Sequence, residues 1–154
     1  MDKENLRFKI GLSGTSQLKS PEFRIFINDK EYLHSKLDIS HNKTEFFEFD
    51  TEVLEGDNNL VIEFLNKDSG DTIKNDAGEI ASDLLLNIDQ IEIDDINLGN
   101  LIWSLSNYYP SYPQNYADEH SPPDLVKNCV NLGWNGRWIL PFESPFYIWL
   151  LENI

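Results

Sequence analysis

The chain has 154 residues, 40% of them hydrophobic and 12% aromatic, which is enough for one domain with a packed core. Its 12 Lys and Arg against 27 Asp and Glu give a net charge of −15, which disfavours nucleic-acid partners and anionic membrane surfaces. Its single cysteine, Cys129, excludes an internal disulfide, and no stretch approaches the roughly 20 apolar residues that a membrane helix needs.

Apolar and polar residues alternate through the first two-thirds of the chain, which is the pattern of half-buried β-strands. We predict a turn at Asn28 and Asp29, a second turn over 54–60, and a bend at Asp94 and Asp95 beyond which Ile96 extends the last strand. Repeated short strands separated by turns predict an all-β fold, an antiparallel β-sandwich of the jelly-roll type. The alternating segments are 8–12, 23–27, 32–33, 47–49, 60–65 and 86–93.

The negative charge is concentrated in the middle of the chain. Residues 50–95 carry fourteen acids and two bases, a net charge of −12, and such a concentration repels itself unless a cation neutralises it. The acidic loop, residues 66–83, joins two predicted strands and supplies carboxylate and amide oxygens but no nitrogen or sulfur donors, which favours calcium over zinc or copper. An acidic loop that is solvated and binds nothing is the alternative. The candidate calcium ligands are Asp68, Asp71, Asp76 and Asp83.

Tyrosine and proline alternate over residues 107–123. Prolines cannot donate ladder hydrogen bonds, so we predict a long ordered loop here rather than strands. Aromatic rings offer an apolar face to a sugar and also anchor protein interfaces, although packing within the loop is an equal alternative. The candidate contact residues are Tyr108, Tyr109, Tyr112 and Tyr116, whereas Trp134, Trp138 and Trp149 are expected in the core.

The chain ends in a short apolar segment. Ser144 and Pro145 are typical of a helix N-cap and a first helical position, and they predict a short C-terminal helix over 146–151. This helix is apolar nearly all round, so we expect it to be buried in its own fold or in a partner. Phe146, Trp149 and Leu150 are its candidate docking residues.

Catalysis finds no support in the sequence. The chain contains no nucleophile elbow, phosphate-binding loop, dinucleotide-binding fingerprint or zinc-protease motif. The acids of the middle segment form candidate pairs by chance, and Asp118, Glu119 and His120 make the one compact cluster of acid and imidazole. We therefore predict a protein that is not an enzyme and has no catalytic residues.

Two segments that flank the acidic loop resemble the calcium-dependent xylan-binding carbohydrate-binding modules. The run IEFLNKD at 62–68 resembles their strand that ends in Phe-x-Asn-Asp, and DLLLNIDQI at 83–91 resembles their Asp-Arg-Asn-Leu segment with its following strand. The resemblance covers residues 5–98 and implies a β-sandwich whose loop holds calcium, the ion itself chelating sugar hydroxyls. Asp68 and Asp83 match the family's acids. The chain departs from the pattern at Lys67, which separates Asn66 from Asp68, and at 84–85, where Arg-Asn is usual.

The closing stretch, 133–150, looks like small virion proteins of tailed phages that infect marine bacteria. We accordingly predict one domain over 1–154, with a sandwich core at 5–98 and an aromatic loop, strand and helix at 99–154 that complete it. The expected function is non-enzymatic: a virion component, part of an oligomeric assembly, that displays a calcium-dependent glycan-binding surface for adhesion. The alternative is a purely structural assembly or decoration protein that binds neither sugar nor ion. Its partners would be virion proteins and cell-surface polysaccharide, with no nucleic acid and no membrane insertion, and without a signal peptide it would be made in the host cytoplasm.

Overall fold

A computed structural model describes residues 2–16, 19–38 and 43–154, without the side chain of Ser69. The strands are β1 Lys3–Thr15, β2 Glu22–Ile27, β3 Lys30–Lys36, β4 Glu45–Leu54, β5 Gly56–Phe64, β6 Ile73–Lys74, β7 Ile80–Ser82, β8 Leu85–Ile93, β9 Ile96–Asn97, β10 Asn107–Pro110, β11 Val126–Lys127, β12 Asn131–Leu132 and β13 Gly136–Ser144. The helices are α1 Leu101–Ser104, α2 Gln114–His120 and α3 Phe146–Asn153.

Two antiparallel sheets form the body of the protein and confirm the predicted β-sandwich. In the described part of the chain one sheet has the order β12-β8-β1-β4, with β9 beside β8, and the other has the order β11-β10-β13-β5-β2-β3. The short strands β6 and β7 form a separate hairpin within the acidic loop. The last third of the chain supplies β12 to the first sheet and β10, β11 and β13 to the second.

The core lies between the two sheets and follows the alternation of the sequence. Every second residue of β1 from Leu6 to Leu12 is buried, as are the alternate residues of β2 and the even-numbered residues of β13 from Trp138. Aromatic rings meet across the sandwich: the centroids of Phe8 and Phe142 are 5.8 Å apart, and those of Phe23 and Phe47 are 5.1 Å apart. Alternation therefore placed the correct face of each strand inward, because successive strand residues point to opposite sides.

Two predicted turns differ from the structure. The prediction of a turn over 54–60 is wrong, because the chain reverses at Glu55 and Gly56 and β5 already begins at Gly56. Gly56 has a φ of +105°, a conformation open to glycine but not to most other residues. Ile96 does not extend β8; the bend at Asp94 and Asp95 reverses the chain, so that β9 pairs back onto β8.

The Tyr/Pro segment contains more regular structure than its prolines suggest. Residues 107–110 form β10, which pairs with β11 and β13, so the prediction of a loop is wrong there. Pro110 is the last residue of β10, a position at which a missing N–H is tolerated. Helix α2 follows, and its C-cap Ser121 is left-handed with a φ of +44°. Irregular chain is therefore confined to short connections on either side of α2.

The predicted C-terminal helix is confirmed as α3, but Ser144 does not cap it. Ser144 is the last residue of β13, and its hydroxyl donates to Glu4 Oε1 at 2.7 Å. The same oxygen of Glu4 accepts the backbone N–H of Phe146 at 2.9 Å. A carboxylate on β1 thus satisfies one N–H at the start of α3. In the part of the chain that the structure describes, no helix has the length and apolarity required to span a bilayer.

Candidate functional site

Four side chains form an aromatic cluster at one end of the sandwich. We use this name for Tyr112, Tyr116, His120 and Trp134. Tyr116 lies at its centre: its ring centroid is 4.6 Å from that of Trp134, 4.4 Å from that of His120 and 5.6 Å from that of Tyr112. Tyr116 and His120 are four residues apart and lie on one side of α2, and Tyr112 lies just before the helix. The rings of Tyr112, Tyr116 and Trp134 are half-buried and His120 is exposed.

A hydrogen bond from a side chain to the backbone holds Tyr112 in this cluster. The Tyr112 hydroxyl donates to the carbonyl of Pro123 at 2.9 Å, which ties the chain entering α2 to the chain leaving it. Burial raises the pKa of the Tyr112 hydroxyl, and the neighbouring charges of Tyr116 and Asp124 raise it further. The hydroxyl is therefore a neutral donor over the whole physiological pH range.

The four predicted contact tyrosines divide into three groups. Tyr112 and Tyr116 belong to the aromatic cluster. Tyr108 is only 3% exposed, its hydroxyl donates to the carbonyl of Trp134 and accepts the Trp134 N–H at 3.1 Å, and burial strongly raises its pKa. The prediction that Tyr108 is a surface contact is therefore wrong. The buried Tyr108 side chain instead holds the backbone of Trp134 in place through these hydrogen bonds. Tyr109 is exposed, on the opposite face of β10 from Tyr108.

Trp134 was expected in the core but lies at the surface with the tyrosines. Trp138 and Trp149 are buried, as expected. Trp134 differs from them because it precedes β13 and belongs to the turn between β12 and β13, so the alternation of β13 does not apply to it. The glycines on either side of the Trp134–Asn135 pair are the sequence signal that marks this turn.

Asn135 joins the aromatic cluster to the acidic loop. Its side-chain oxygen accepts the backbone N–H of Lys67 at 2.7 Å, and its side-chain nitrogen donates to the Lys67 carbonyl at 2.9 Å. The Lys67 ammonium also lies over the ring of Trp134, 5.7 Å from its centroid. The two regions that the sequence singled out for different reasons therefore form one continuous surface.

Within the acidic loop, Asp83 is paired with a lysine. The side chain of Lys67 is 2% exposed, and its ammonium contacts Asp83 Oδ1 and donates to the Leu84 carbonyl at 3.1 Å. The same carboxylate oxygen accepts the Thr72 hydroxyl at 2.7 Å and the Leu84 N–H at 2.8 Å. Burial acts to raise the pKa of Asp83, but the hydrogen bonds from Lys67, Thr72 and the Leu84 N–H outweigh it, so that the pKa is lowered.

A second lysine holds the other end of the loop. Lys19 Nζ lies 3.0 Å from Asp68 Oδ2 and 3.1 Å from Asp71 Oδ2. Asp71 Oδ2 also accepts the Asp68 N–H at 2.7 Å, which closes the short 3₁₀ turn Ser69–Asp71. Although partial burial acts to lower the pKa of Lys19, its bonds to Asp68 and Asp71 raise the pKa above its usual value.

The four predicted calcium ligands do not converge in this structure. Asp68 and Asp71 share Lys19, Asp83 binds Lys67, and Asp76 is exposed in the turn between β6 and β7. Across residues 2–16, 19–38 and 43–154, no group of three or more His, Cys, Asp and Glu side chains is arranged to hold a metal ion. Calcium needs six to eight oxygen ligands around one centre, so this arrangement of the loop does not fit a calcium site.

The predicted docking residues of α3 face the sandwich rather than a partner. Phe146, Trp149 and Leu150 are buried in the chain's own core, with the Trp149 ring 5.9 Å from Phe146 and 6.4 Å from Phe142. Of the two predicted alternatives, the structure shows burial in the chain's own fold, and Phe146, Trp149 and Leu150 are therefore not available for docking to a partner. The exposed apolar side chains at the C-terminus are Tyr147, Ile148, Leu151 and Ile154.

The fold is similar to that of a carbohydrate-binding module. No family model matches the sequence, and no curated protein gives a significant sequence match. The selenomethionine form of vCBM60, described in connection with two families of calcium-dependent carbohydrate-binding modules, has a TM-score of 0.55 at 12% identity and covers 88% of this chain and 89% of its own. vCBM60 in complex with galactobiose has a TM-score of 0.51 at 10% identity and covers 87% and 96%. At these identities the similarity shows the fold alone. The structural similarity covers more of the chain than the sequence resemblance, which is limited to residues 5–98.

Proposed function

We propose that this protein is a non-catalytic carbohydrate-binding module that binds polysaccharide through the aromatic cluster. The observation that carries the proposal is the set of half-buried rings of Tyr112, Tyr116 and Trp134, held side by side at the loop end of a β-sandwich. Such rings present an apolar face to the C–H face of a sugar ring. The fold supports the same ligand class, because vCBM60 has been determined with a bound galactobiose.

The surroundings of the cluster supply the polar groups that sugar recognition needs. The exposed imidazole of His120 lies at one side of Tyr116, and Asp124 is close enough to Tyr112 to raise its pKa. Imidazole and carboxylate groups form hydrogen bonds with hydroxyls that an apolar ring cannot provide. A ring flanked by such groups binds a single sugar weakly and selects the orientation in which its hydroxyls meet those groups. Weak binding is sufficient for a protein that attaches to a long polysaccharide, because many identical sites are available on one chain.

Glycan binding is tested by an array followed by titration calorimetry on the best ligand. Trp134→Ala and Tyr116→Ala should each weaken binding by about tenfold or more, since a lost apolar contact of about 1.5 kcal/mol corresponds to that factor. Tyr147→Ala is the matched control: Tyr147 is an exposed tyrosine on α3, beyond the far end of β13, whose nine residues span roughly 30 Å. Unchanged affinity in both cluster variants, or no glycan bound by the wild type, would refute the proposal.

A second candidate function is virion assembly or decoration, which the resemblance of residues 133–150 predicts. The observation that favours it is the exposed apolar side of α3, where Tyr147, Ile148, Leu151 and Ile154 face outward. Exposed apolar groups of this kind are typical of protein contacts. Sedimentation of the wild type and of Leu151→Asp tests it: assembly through α3 predicts an oligomer that the variant abolishes, whereas a monomer in both proteins would leave α3 without this role. Presence in a virion stays a prediction.

A further inference from the structure

The ammonium groups of Lys19 and Lys67 contact carboxylates of the acidic loop, which are the groups that a bound metal ion would contact. Each ammonium joins groups that are distant in sequence. Lys19 connects the segment before β2 to the 3₁₀ turn, and Lys67 connects the chain after β5 to the residues just before β8. Three carboxylates, those of Asp68, Asp71 and Asp83, take part in these contacts. They are three of the four side chains that the sequence assigned to calcium.

The environment of Lys67 is that of a structural cation. Its side chain is 2% exposed, and a buried ammonium is tolerated only when it is paired and hydrogen-bonded. The Asp83 carboxylate, the Leu84 carbonyl and the face of Trp134 surround it. An ammonium has three hydrogens to donate, so two oxygens and one π face account for all of its directions.

A calcium ion that bound through Asp83 Oδ1 or Asp71 Oδ2 would have to displace Lys67 or Lys19 first. Asp83 Oδ1 already accepts hydrogen bonds from Lys67, Thr72 and the Leu84 N–H, and Asp71 Oδ2 accepts from Lys19 and the Asp68 N–H. An oxygen with its lone pairs engaged in this way is a poor metal ligand until those bonds break. Displacement would also leave the Lys67 ammonium buried without a counter-ion, which is strongly destabilising.

We infer that Lys19 and Lys67 act as built-in counter-ions in place of a metal, so that the acidic loop folds and the adjacent glycan site works without calcium. The part of this inference that concerns glycan binding rests on the proposed function, whereas the part that concerns the loop does not. The two lysines pair with three of the five acids of the loop, and the Lys67 ammonium at the same time contacts the ring of Trp134.

The first test is the response of the wild-type protein to calcium. Thermal unfolding of metal-stripped protein is followed with 5 mM calcium chloride, with 5 mM magnesium chloride and with EGTA. We expect midpoints within 1 °C of one another and no saturable heat when calcium is titrated into the protein. A site with a dissociation constant a hundredfold below that concentration would raise the midpoint by several degrees. A saturable rise with calcium but not magnesium would overturn the inference.

The second test removes the internal cation. Lys67→Met should lower the unfolding midpoint by at least 5 °C, because the Asp83 carboxylate loses its partner. Lys74→Met, which removes an exposed lysine of β6 in the same loop, is the matched control and should shift the midpoint by less than 2 °C. Equal midpoints for the two variants would overturn the role of Lys67. If Lys67→Met does not fold, the calcium titration of the wild type still decides the inference.

The third test separates this inference from the proposed function. Glycan affinity is measured in EGTA and in calcium, and we expect the two values to agree within twofold. Affinity that requires calcium would overturn the inference and leave the glycan-binding function standing. Absence of glycan binding under both conditions would refute the proposed function, and the unfolding experiments would then decide the inference about the loop by themselves.

Discussion

Replacing Asn135 by alanine should separate the aromatic cluster from the acidic loop. The Asn135 amide makes two hydrogen bonds to the backbone of Lys67, at 2.7 and 2.9 Å, in a partly buried position. Each such bond contributes about 1 kcal/mol, and an unpaired buried backbone group costs 1–3 kcal/mol. Because water partly reaches this site, we expect the lower part of that range, about 1–1.5 kcal/mol, for each of the two backbone groups, so Asn135→Ala should lower the free energy of unfolding by about 2–3 kcal/mol.

Urea unfolding measures this loss directly. At a slope of about 2 kcal/mol/M, the expected change lowers the midpoint by roughly 1–1.5 M without altering the slope. Asn115→Ala is the control, because Asn115 is exposed on α2 and should change stability by no more than about 0.5 kcal/mol. Glycan affinity should fall in Asn135→Ala as well, since the turn that holds Trp134 is loosened. An Asn135→Ala midpoint equal to that of the control would refute the assignment of Asn135 as the joint between the two regions.

Three further predictions concern the backbone, the pH response and the chain ends. Gly136→Ala should unfold far more easily than Gly70→Ala in urea, because Gly136 has a φ of +146° and an added Cβ would lie 2.3 Å from a backbone oxygen of β10, whereas the space around Gly70 is open. The pKa of Asp83 is lowered from its usual 3.8 in the folded protein, so Asp83 stabilises the fold fully above pH 3.8 and loses this contribution as the pH falls through the lower folded pKa. Urea midpoints measured from pH 7 to pH 3 should therefore decline in the wild type and decline less in Asp83→Asn. Glu4→Gln should lower the unfolding temperature by a few degrees, because Glu4 receives an N–H from the start of α3 that a neutral side chain accepts less strongly, and differential scanning calorimetry would detect the shift.

Strand positions could be predicted from the sequence because burial follows the alternation. The buried apolar residues of β1 and β2 recur with a period of two, and those of β8 do so on either side of a register shift; all of them point into one core, and no helical pattern competes. The chain reversal at 54–60 was misplaced because Asp57, Asn58 and Asn59 are typical turn residues, yet they lie in β5. Asn58 is buried there, and its side-chain nitrogen donates to the Leu54 and Gly56 carbonyls at 3.0 Å. The pairing of β5 with β13 and β2 thus outweighed local preference.

The site was less predictable than the fold because its key residues are defined by partners that are far apart in sequence. Tyr112 and Tyr116 could be named from the density of aromatic residues alone. Trp134 could not, because its exposure depends on the turn before β13, and the hydrogen bonds to Tyr108 that hold it there join residues 26 positions apart. Lys67 was visible in the sequence as a departure from the family pattern, but only the structure shows that its side chain is buried against Asp83.

The charge imbalance along the chain is resolved by the pairing of strands. Residues 50–95 carry a net charge of −12 and residues 1–49 are neutral, but antiparallel pairing sets β1 beside both β4 and β8. Basic residues of β1 thereby reach acids of the second segment; Arg24 reaches Glu63 through the pairing of β2 with β5, and Lys19 reaches the acidic loop from the segment before β2. The described ion pairs between the two segments are Lys3–Glu52, Lys9–Glu92, Lys19–Asp68, Lys19–Asp71 and Arg24–Glu63.

These pairs are at least partly exposed and each contributes at most about 1 kcal/mol, but together they place a cation beside five of the fourteen acids of the middle segment. The predicted calcium site required acids that are close in sequence to share a cation supplied from solution. The fold removes that requirement, because strand pairing and loop packing together decide which cation lies nearest to an acid, whatever their separation along the chain. Asp68 and Asp71 contact Lys19, and Asp83 contacts Lys67, so each of these three carboxylates has a lysine of the chain itself as its counter-ion.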